Sequence, residues 1–259
     1  IYLVVGGVAN VLLDIFSIVV LGFDVEGVAI ATVAAQLISA ILAIIAMTRE
    51  TGYARLEKQY LRIDGPELLI MMKIGVPAGL QGCVFSISNV LIQSTINSFG
   101  KLMVAGSTIG SQIDGFIYTT MYAVALAALS VVSQNLGAGN RDRVLKSYFV
   151  GLTYSFAAGA LLGGLLLVFG REFLSLFANE AEVVEAGMER LRIMGWSYPI
   201  SAFMDCTIAA SRGLGKSVVP TVIVILGSCV FRVVWVYTIF AYFGTITSLY
   251  LLYSFSWTI

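Results

Sequence analysis

Residues 146–169 read KSYFVGLTYSFAAGALLGGLLLVF, and no charged side chain interrupts the run after Lys146. At 1.5 Å of rise per residue, a helix of this length reaches across the roughly 30 Å hydrocarbon core of a bilayer. The run is too long for a barrel strand and lacks the two-residue alternation that a barrel strand carries. A helix is what remains, because lipid offers no partner to free backbone N–H and C=O groups.

The pattern recurs on both sides of this block. Apolar runs at 1–22, 27–47, 67–98, 102–133, 187–211, 218–241 and 245–259 bring the total to about eight spans, the last cut short. Those at 67–98 and 102–133 are long enough to tilt or to project beyond the bilayer. Composition agrees, with 59% hydrophobic and 12% charged residues in 259. An average soluble domain carries about 25% charged residues, so this chain has too little charge to coat a water-facing surface. The fold class is all-α, a polytopic transmembrane helix bundle whose first partner is the lipid bilayer. Net charge is zero, which excludes the basic footprint of a nucleic-acid binder. Histidine is absent, so proton handling falls to carboxylates. Cys83, Cys206 and Cys229 lie inside apolar runs, lack metal-ligand spacing and read as small core residues. The chain starts and stops inside apolar runs, which reads as truncation at both ends, and it shows no signal peptide.

The charges between the runs fall into two alternating sets. One holds Arg49, Arg55, Lys58 and Arg62, then Arg141, Arg143 and Lys146, then Arg212 and Lys216. The other holds Lys101, Arg171, Arg190 and Arg192, accompanied by Asp24, Glu26, Glu172, Glu180, Glu182, Glu185 and Glu189. The positive-inside rule places the first set in the cytoplasm, so the chain enters at Ile1 from the cytoplasmic side. The connection at 48–66 is the longest, and it divides residues 1–47, two helices ending a first lobe, from residues 67–259, a second lobe of six helices. Laying residues 8–14 on 226–232 gives a weak internal repeat consistent with two bundles, or a chance match of apolar runs. The stretch 171–190 is expected to include a short helix lying at the outer surface.

A charged side chain at mid-bilayer costs about 2.5–3.5 kcal/mol on insertion scales. Asp14, Asp114, Asp205 and Arg232 sit at such depths, so each must face protein or water. Asn10 and Asp14 share one helix face, and Thr32 lies on the following antiparallel span. Their amide, carboxylate and hydroxyl oxygens form either a site for a proton or Na⁺ or a polar cluster that only joins helices. Ser86, Asn89, Gln93 and Asn97 recur at steps of three and four along one span. Ser107, Ser111, Asp114, Tyr118 and Tyr122 do the same on the next. Two such stripes on consecutive spans imply a water-filled cavity, or helix–helix hydrogen bonding. Arg232, the one buried base the sequence shows, is expected to pair with Asp114 or Asp205. Pro77 falls near the start of one span, and Pro199 within another should kink it and turn residues 196–201 toward a cleft. Ala210-Ser211-Arg212-Gly213-Leu214-Gly215-Lys216-Ser217 misses a phosphate-binding loop by its first glycine and follows no strand. It reads as a helix stop, and no nucleotide partner is implied.

Several of these segments resemble the multidrug and toxic compound extrusion (MATE) family. Asn10-Val11-Leu12-Leu13-Asp14 with Gly27-Val28-Ala29-Ile30-Ala31-Thr32 is similar to its fifth and sixth helices, and Gly75-Val76-Pro77 to the start of its seventh. Ser133-Gln134-Asn135-Leu136-Gly137-Ala138-Gly139-Asn140 is similar to the loop between the eighth and ninth. Ser211-Arg212-Gly213-Leu214-Gly215 with Pro220 resembles the tenth-to-eleventh junction. The resemblance implies a multi-pass transporter of twelve helices in two lobes, in the inner (plasma) membrane, here from about the fifth helix on. It implies a non-enzyme that exports organic cations against H⁺ or Na⁺ and needs no cofactor beyond the coupling ion, and the chain is expected to work as a monomer. It assigns cation coupling to Asn10, Asp14 and Thr32, with no metal site other than Na⁺ at Asp14. Asn89, Gln93, Asp114, Tyr118, Asp205 and Arg232 are the candidate cleft residues. The seventh-helix equivalent has no mid-span acid, which departs from members with a second ion site in that lobe. A lipid-linked oligosaccharide flippase of the same superfamily and a non-transporting membrane scaffold are the alternatives. A single buried base argues against the former.

Overall fold

The computed structural model describes residues 2–52, 55–57, 59 and 61–259. Ile1 and Lys58, both used above to orient the chain, lie outside the described residues. The described residues contain no strand. The chain divides into two compact units, Ile1–Gly65 and Pro66–Ile259.

The first unit is a helical hairpin. Helix α1 (Tyr2–Val20) closes with a π-helical turn over Phe16–Val20, and α2 is Val25–Arg49. Gly6 lets α1 lie directly against α2, since a Cβ there would overlap the hydroxyl of Ser39. The outer faces of both helices stay exposed and apolar, with Leu3, Leu12, Ile30 and Leu37 among the exposed residues. That is the surface a bilayer accepts and water does not.

The second unit contains α3 (Gly65–Asn97), α4 (Lys101–Gly137), α5 (Arg141–Ser175), α6 (Ala181–Gly213), α7 (Val218–Phe243) and α8 (Ile246–Thr258). Helices α1, α2, α3, α4, α5 and α7 are long and apolar enough to cross a membrane. Helix α6 is long enough but more polar, because it is the central helix of the unit and packs against α4, α5 and α8. A helix surrounded by other helices need not present an apolar face to lipid. Its packing uses close backbone approach. A Cβ on Gly163 of α5 would overlap the carbonyl oxygen of Gly195 on α6, the carbonyl that Pro199 deprives of its intrahelical donor. Met121, Leu191, Ala202, Leu249, Tyr250 and Leu252 fill the core around α6.

Two of the motifs quoted above prove to be helix stops of one kind. At the end of α4, Asn140 N–H donates to Asn135 O at 2.9 Å and Gly139 N–H to Leu136 O at 3.0 Å, with Gly139 at φ 74°. At the end of α6, Lys216 N–H donates to Ser211 O at 3.0 Å and Gly215 N–H to Arg212 O at 2.8 Å, with Gly215 at φ 76°. Both are Schellman caps, in which a left-handed glycine lets the last carbonyls find donors. Ala210–Ser217 is therefore a cap and not a phosphate loop.

Three expectations are corrected. Helix α6 runs through Pro199 without interruption, and non-helical dihedrals occur instead in α5 at Phe169 (φ −111°, ψ 15°). Trp196 points out of the bundle while Ser197, Tyr198 and Ser201 are buried, because neighbouring positions on a helix face different ways. The kink at Phe169 sets the end of α5, up to Ser175, apart as a short helical segment, and α6 begins at Ala181. Cys206 and Cys229 are buried as expected, but Cys83 is exposed on α3.

Candidate functional site

The polar stripes of α3 and α4 meet in one cavity of about 570 Å³ inside the second unit, a volume suited to a drug-sized molecule. From α3 it is lined by Gln81, Phe85, Asn89 and Gln93, one position per helical turn. From α4 come Ser111, Asp114, Tyr118 and Tyr122. Helix α6 contributes Arg190, Met194, Tyr198, Asp205 and Arg212, α7 contributes Arg232, and α8 contributes Tyr253 and Trp257. All six candidate cleft residues, Asn89, Gln93, Asp114, Tyr118, Asp205 and Arg232, line this space. Other stripe members do not: Ser86 donates to Gly82 O at 3.1 Å, Asn97 accepts from Gln93 at 3.2 Å, and Ser107 is buried outside the lining.

The charges on the wall are arranged differently from the expected pairing. Arg190 Nε donates to Asp114 Oδ2 at 2.7 Å, and both side chains are more than nine-tenths buried. Tyr198 OH donates to the other oxygen, Asp114 Oδ1. The Arg190 guanidinium also lies over the rings of Tyr250 and Tyr253, 5.6 and 5.4 Å from their centroids. So Arg190, placed with the external charges by sequence, is a buried partner of Asp114, and Arg232 is not the sole buried base. The reason is that the first turns of α6 are already inside the bundle. Arg190 faces α4 there, while Arg192 stays exposed beside Glu185 at 3.2 Å. The signal was present in the sequence: Arg190, Met194, Tyr198 and Asp205 recur at steps of four, four and seven, a stripe on α6 like those on α3 and α4.

Arg232 is 1% exposed and, among the described residues, has no carboxylate within ion-pair distance. Its Nε donates to Ser256 Oγ at 3.1 Å and its Nη1 to Asn89 Oδ1 at 3.2 Å. The rings of Tyr253 and Phe85 flank it at 4.8 and 5.1 Å, where their π faces attract a cation. It occupies a short α-helical stretch, Phe231–Trp235, between π-helical turns at Ile225–Val230 and Val236–Phe240. Among the described residues Asp205 makes a single long contact, accepting from Ser201 Oγ at 3.4 Å. Arg212 Nη2 donates to Gln81 Oε1 at 3.0 Å, and Thr221 Oγ1 donates to the same oxygen at 3.3 Å. Ser217 Oγ adds a bond to Ile74 O at 2.9 Å, so polar contacts tie α3 to the α6–α7 turn. From α4, the rings of Tyr118 and Tyr122 stack with centroids 6.0 Å apart.

In the first unit, Asn10 Nδ2 donates to Thr32 Oγ1 at 3.4 Å, and Thr32 Oγ1 donates to Val28 O at 2.9 Å. Asp14 lies one helical turn beyond Asn10, with its Oδ1 buried and without a hydrogen-bond partner among the described residues. Asn10 and Thr32 thus meet across the hairpin as the spacing predicts, and Asp14 holds an unsatisfied buried oxygen beside them.

The family model described as MatE matches residues 77–238. The chain is 26% identical to the probable multidrug resistance protein YoeA of Bacillus subtilis over 85% of its own length and 49% of that protein's. It is 21% identical to the probable multidrug resistance protein NorM of Thermotoga maritima, over 85% and 47%. The chain spans about half the length of the curated relatives it matches. A crystal structure of a MATE protein in complex with MaL6 superposes with a TM-score of 0.88 at 21% identity, covering 98% of this chain and 58% of that one. That likeness concerns the fold.

Proposed function

Because the chain belongs to the MatE family of membrane transporters, we propose that it is part of a secondary active exporter in the cytoplasmic (inner) membrane, driven by inward H⁺ or Na⁺. The observation that carries this reading is the cavity. A bundle whose outer helices are apolar enough to cross a bilayer keeps a drug-sized space lined by Gln81, Asn89, Gln93, Ser111 and Asp205. Such polarity is costly inside a membrane unless it meets water or cargo. The stacked Tyr118–Tyr122 pair and Phe85 suit a planar ring system. An organic cation, the cargo class that the resemblance implies, would be met by Asp205. Residues 1–47 belong to a first lobe and 67–259 to a second, joined by the linker 48–66, and the protein alternates access as a monomer. The relatives named as multidrug resistance proteins agree with this assignment.

Coupling is assigned to Asn10, Asp14 and Thr32. The support is the contact between Asn10 and Thr32 and the unsatisfied Asp14 oxygen beside it. An unpartnered buried carboxylate oxygen gains from a proton or from a hard cation that accepts oxygen ligands. The test is dye efflux by the full-length protein in liposomes under imposed pH and Na⁺ gradients. Asp14→Asn keeps the size of the side chain and removes its charge. It should leave the protein folded and abolish gradient-driven efflux. Normal transport under both gradients would reduce the cluster to helix–helix glue. Flipping of a lipid-linked phosphate cargo is the second reading, favoured by three arginines on the cavity wall where sequence showed one.

A further inference from the structure

We infer that the cargo carries an anionic oxygen group, a carboxylate or a phosphate, that docks at the Arg232 end of the second-unit cavity. This rests on the export reading and narrows its cargo. The charged residues on the cavity wall are Asp114, Asp205, Arg190, Arg212 and Arg232. Arg190 and Asp114 cancel one another at 2.7 Å, and Tyr198 takes up the remaining carboxylate oxygen. Two guanidiniums are then left against one carboxylate, so the wall carries a net positive charge.

That excess is concentrated at Arg232. Every group around it is neutral: Asn89, Ser256, and the rings of Phe85 and Tyr253. Its Nη2 makes no hydrogen bond among the described residues. Arg212 is held elsewhere, at Gln81, and Gln81 lies eight residues before Asn89, about 12 Å along α3 at helical rise. Arg212 therefore lies away from the Arg232 end, and among the described residues Asp205 makes no ion pair with Arg232. Neutral dipoles and ring faces make a buried cation tolerable without cancelling its field. That field attracts an anion and repels a cation. A guanidinium presents paired N–H donors that match the two oxygens of a carboxylate or phosphate. Phe85 and the Tyr118–Tyr122 pair give the attached ring system apolar faces. A cationic substituent on the same molecule would find Asp205, so the wall fits an acidic or amphoteric aromatic compound better than a simple organic cation.

The test uses the full-length protein in proteoliposomes and two planar fluorescent dyes of matched size, one bearing a carboxylate and one a quaternary ammonium. The wild type should bind the carboxylate dye at least about tenfold more tightly, and Arg232→Gln should remove the preference. Arg232→Lys keeps the charge but not the paired donors and should retain part of it. The wild-type comparison stands even if a variant fails to fold. Suppose the quaternary ammonium dye moves under a pH or Na⁺ gradient while the carboxylate dye neither binds nor moves. The inference is then overturned and the export reading stands. An undiminished preference in a folded Arg232→Gln protein overturns it as well. If neither dye moves under either gradient, the export reading fails and takes the inference with it. Two competitors separate the sources of the anionic group. Displacement of the carboxylate dye by a short-chain phosphatidate alone assigns the site to a lipid phosphate, and displacement by a soluble aromatic carboxylate assigns it to a soluble cargo.

Discussion

Replacing Asp114 by asparagine tests what joins α4 to α6. The substitution keeps the shape of the side chain but leaves Arg190 without a counter-charge in a pocket where it is 7% exposed. Removing one partner of a buried ion pair costs about 3–5 kcal/mol. Here the lower end applies. Asparagine Oδ1 still accepts from Tyr198 or Arg190, and the Tyr250 and Tyr253 rings still face the guanidinium. For a unit of about 200 residues, each kcal/mol moves the melting temperature by about 2–4 °C, so a loss of about 3 kcal/mol lowers it by about 6–12 °C. Arg190→Gln should lower it by a similar amount. The double variant buries no unpaired charge and should fall short of the sum, with a coupling energy of about 1–3 kcal/mol. The assay is thermal unfolding of the detergent-purified full-length protein for all four members of the cycle, followed by tryptophan fluorescence. Single variants that melt within about 2 °C of wild type, or an additive double variant, would refute the reasoning. Loss of gradient-driven transport at an unchanged melting temperature would instead assign Asp114 to coupling.

Gly163→Ala should destabilise the second unit by about 1–3 kcal/mol, because overpacking forces the α5 backbone away from Gly195. Gly164→Ala, with nothing within 4 Å of its added Cβ, should be near neutral, and comparable melting temperatures for the two would disprove the close contact. Gly139→Ala places a side chain at φ 74° in the α4 cap and should cost about 1 kcal/mol, read as a melting shift of about 2–4 °C. For orientation, single cysteines at 141 and 180 in a protein lacking Cys83, Cys206 and Cys229 should label differently from outside intact cells. Position 180 should react with an impermeant maleimide and 141 should not, and the opposite pattern would invert the assigned topology.

The fold was legible because lipid imposes one requirement on every span, an apolar run of sufficient length, and residues 146–169 state it openly. Position on a helix face was legible for the same reason. Asn89, Gln93, Asp114 and Tyr118 reach the cavity because steps of three and four bring them to one side. Pairing was harder to read. Charge near the end of a span signals a loop on average, but Arg190 sits where α6 is already enclosed by α4 and α8, and enclosure is a property of three helices together. Pro199 misled for a related reason. A proline removes one hydrogen bond, and whether the helix then breaks depends on what packs against the freed carbonyl. Here Gly163 of α5 lies against it, a contact between residues 32 positions apart that no local pattern announces.

The pairings also divide the buried acids by what each is able to do. Asp114 is committed to Arg190, because the two share one buried pair and Tyr198 completes the carboxylate's hydrogen bonding. A group so engaged fixes the distance between α4 and α6 and is a poor choice for cyclic ion exchange. Asp14 and Asp205 are held loosely by comparison, the first with an unpartnered oxygen and the second with one contact at 3.4 Å. A loosely held carboxylate can take up or release a proton or cation while the bundle around it stays intact. The proposed coupling at Asp14 would leave Asp205 available to cargo, and failure at Asp14 would pass the coupling role to Asp205 before Asp114. Arg232 is ion-paired with neither Asp114 nor Asp205, and on the wall of the cavity its partners among the described residues are neutral. Its charge is not needed to balance any aspartate there, and that unbalanced charge is what the proposed anionic cargo would meet.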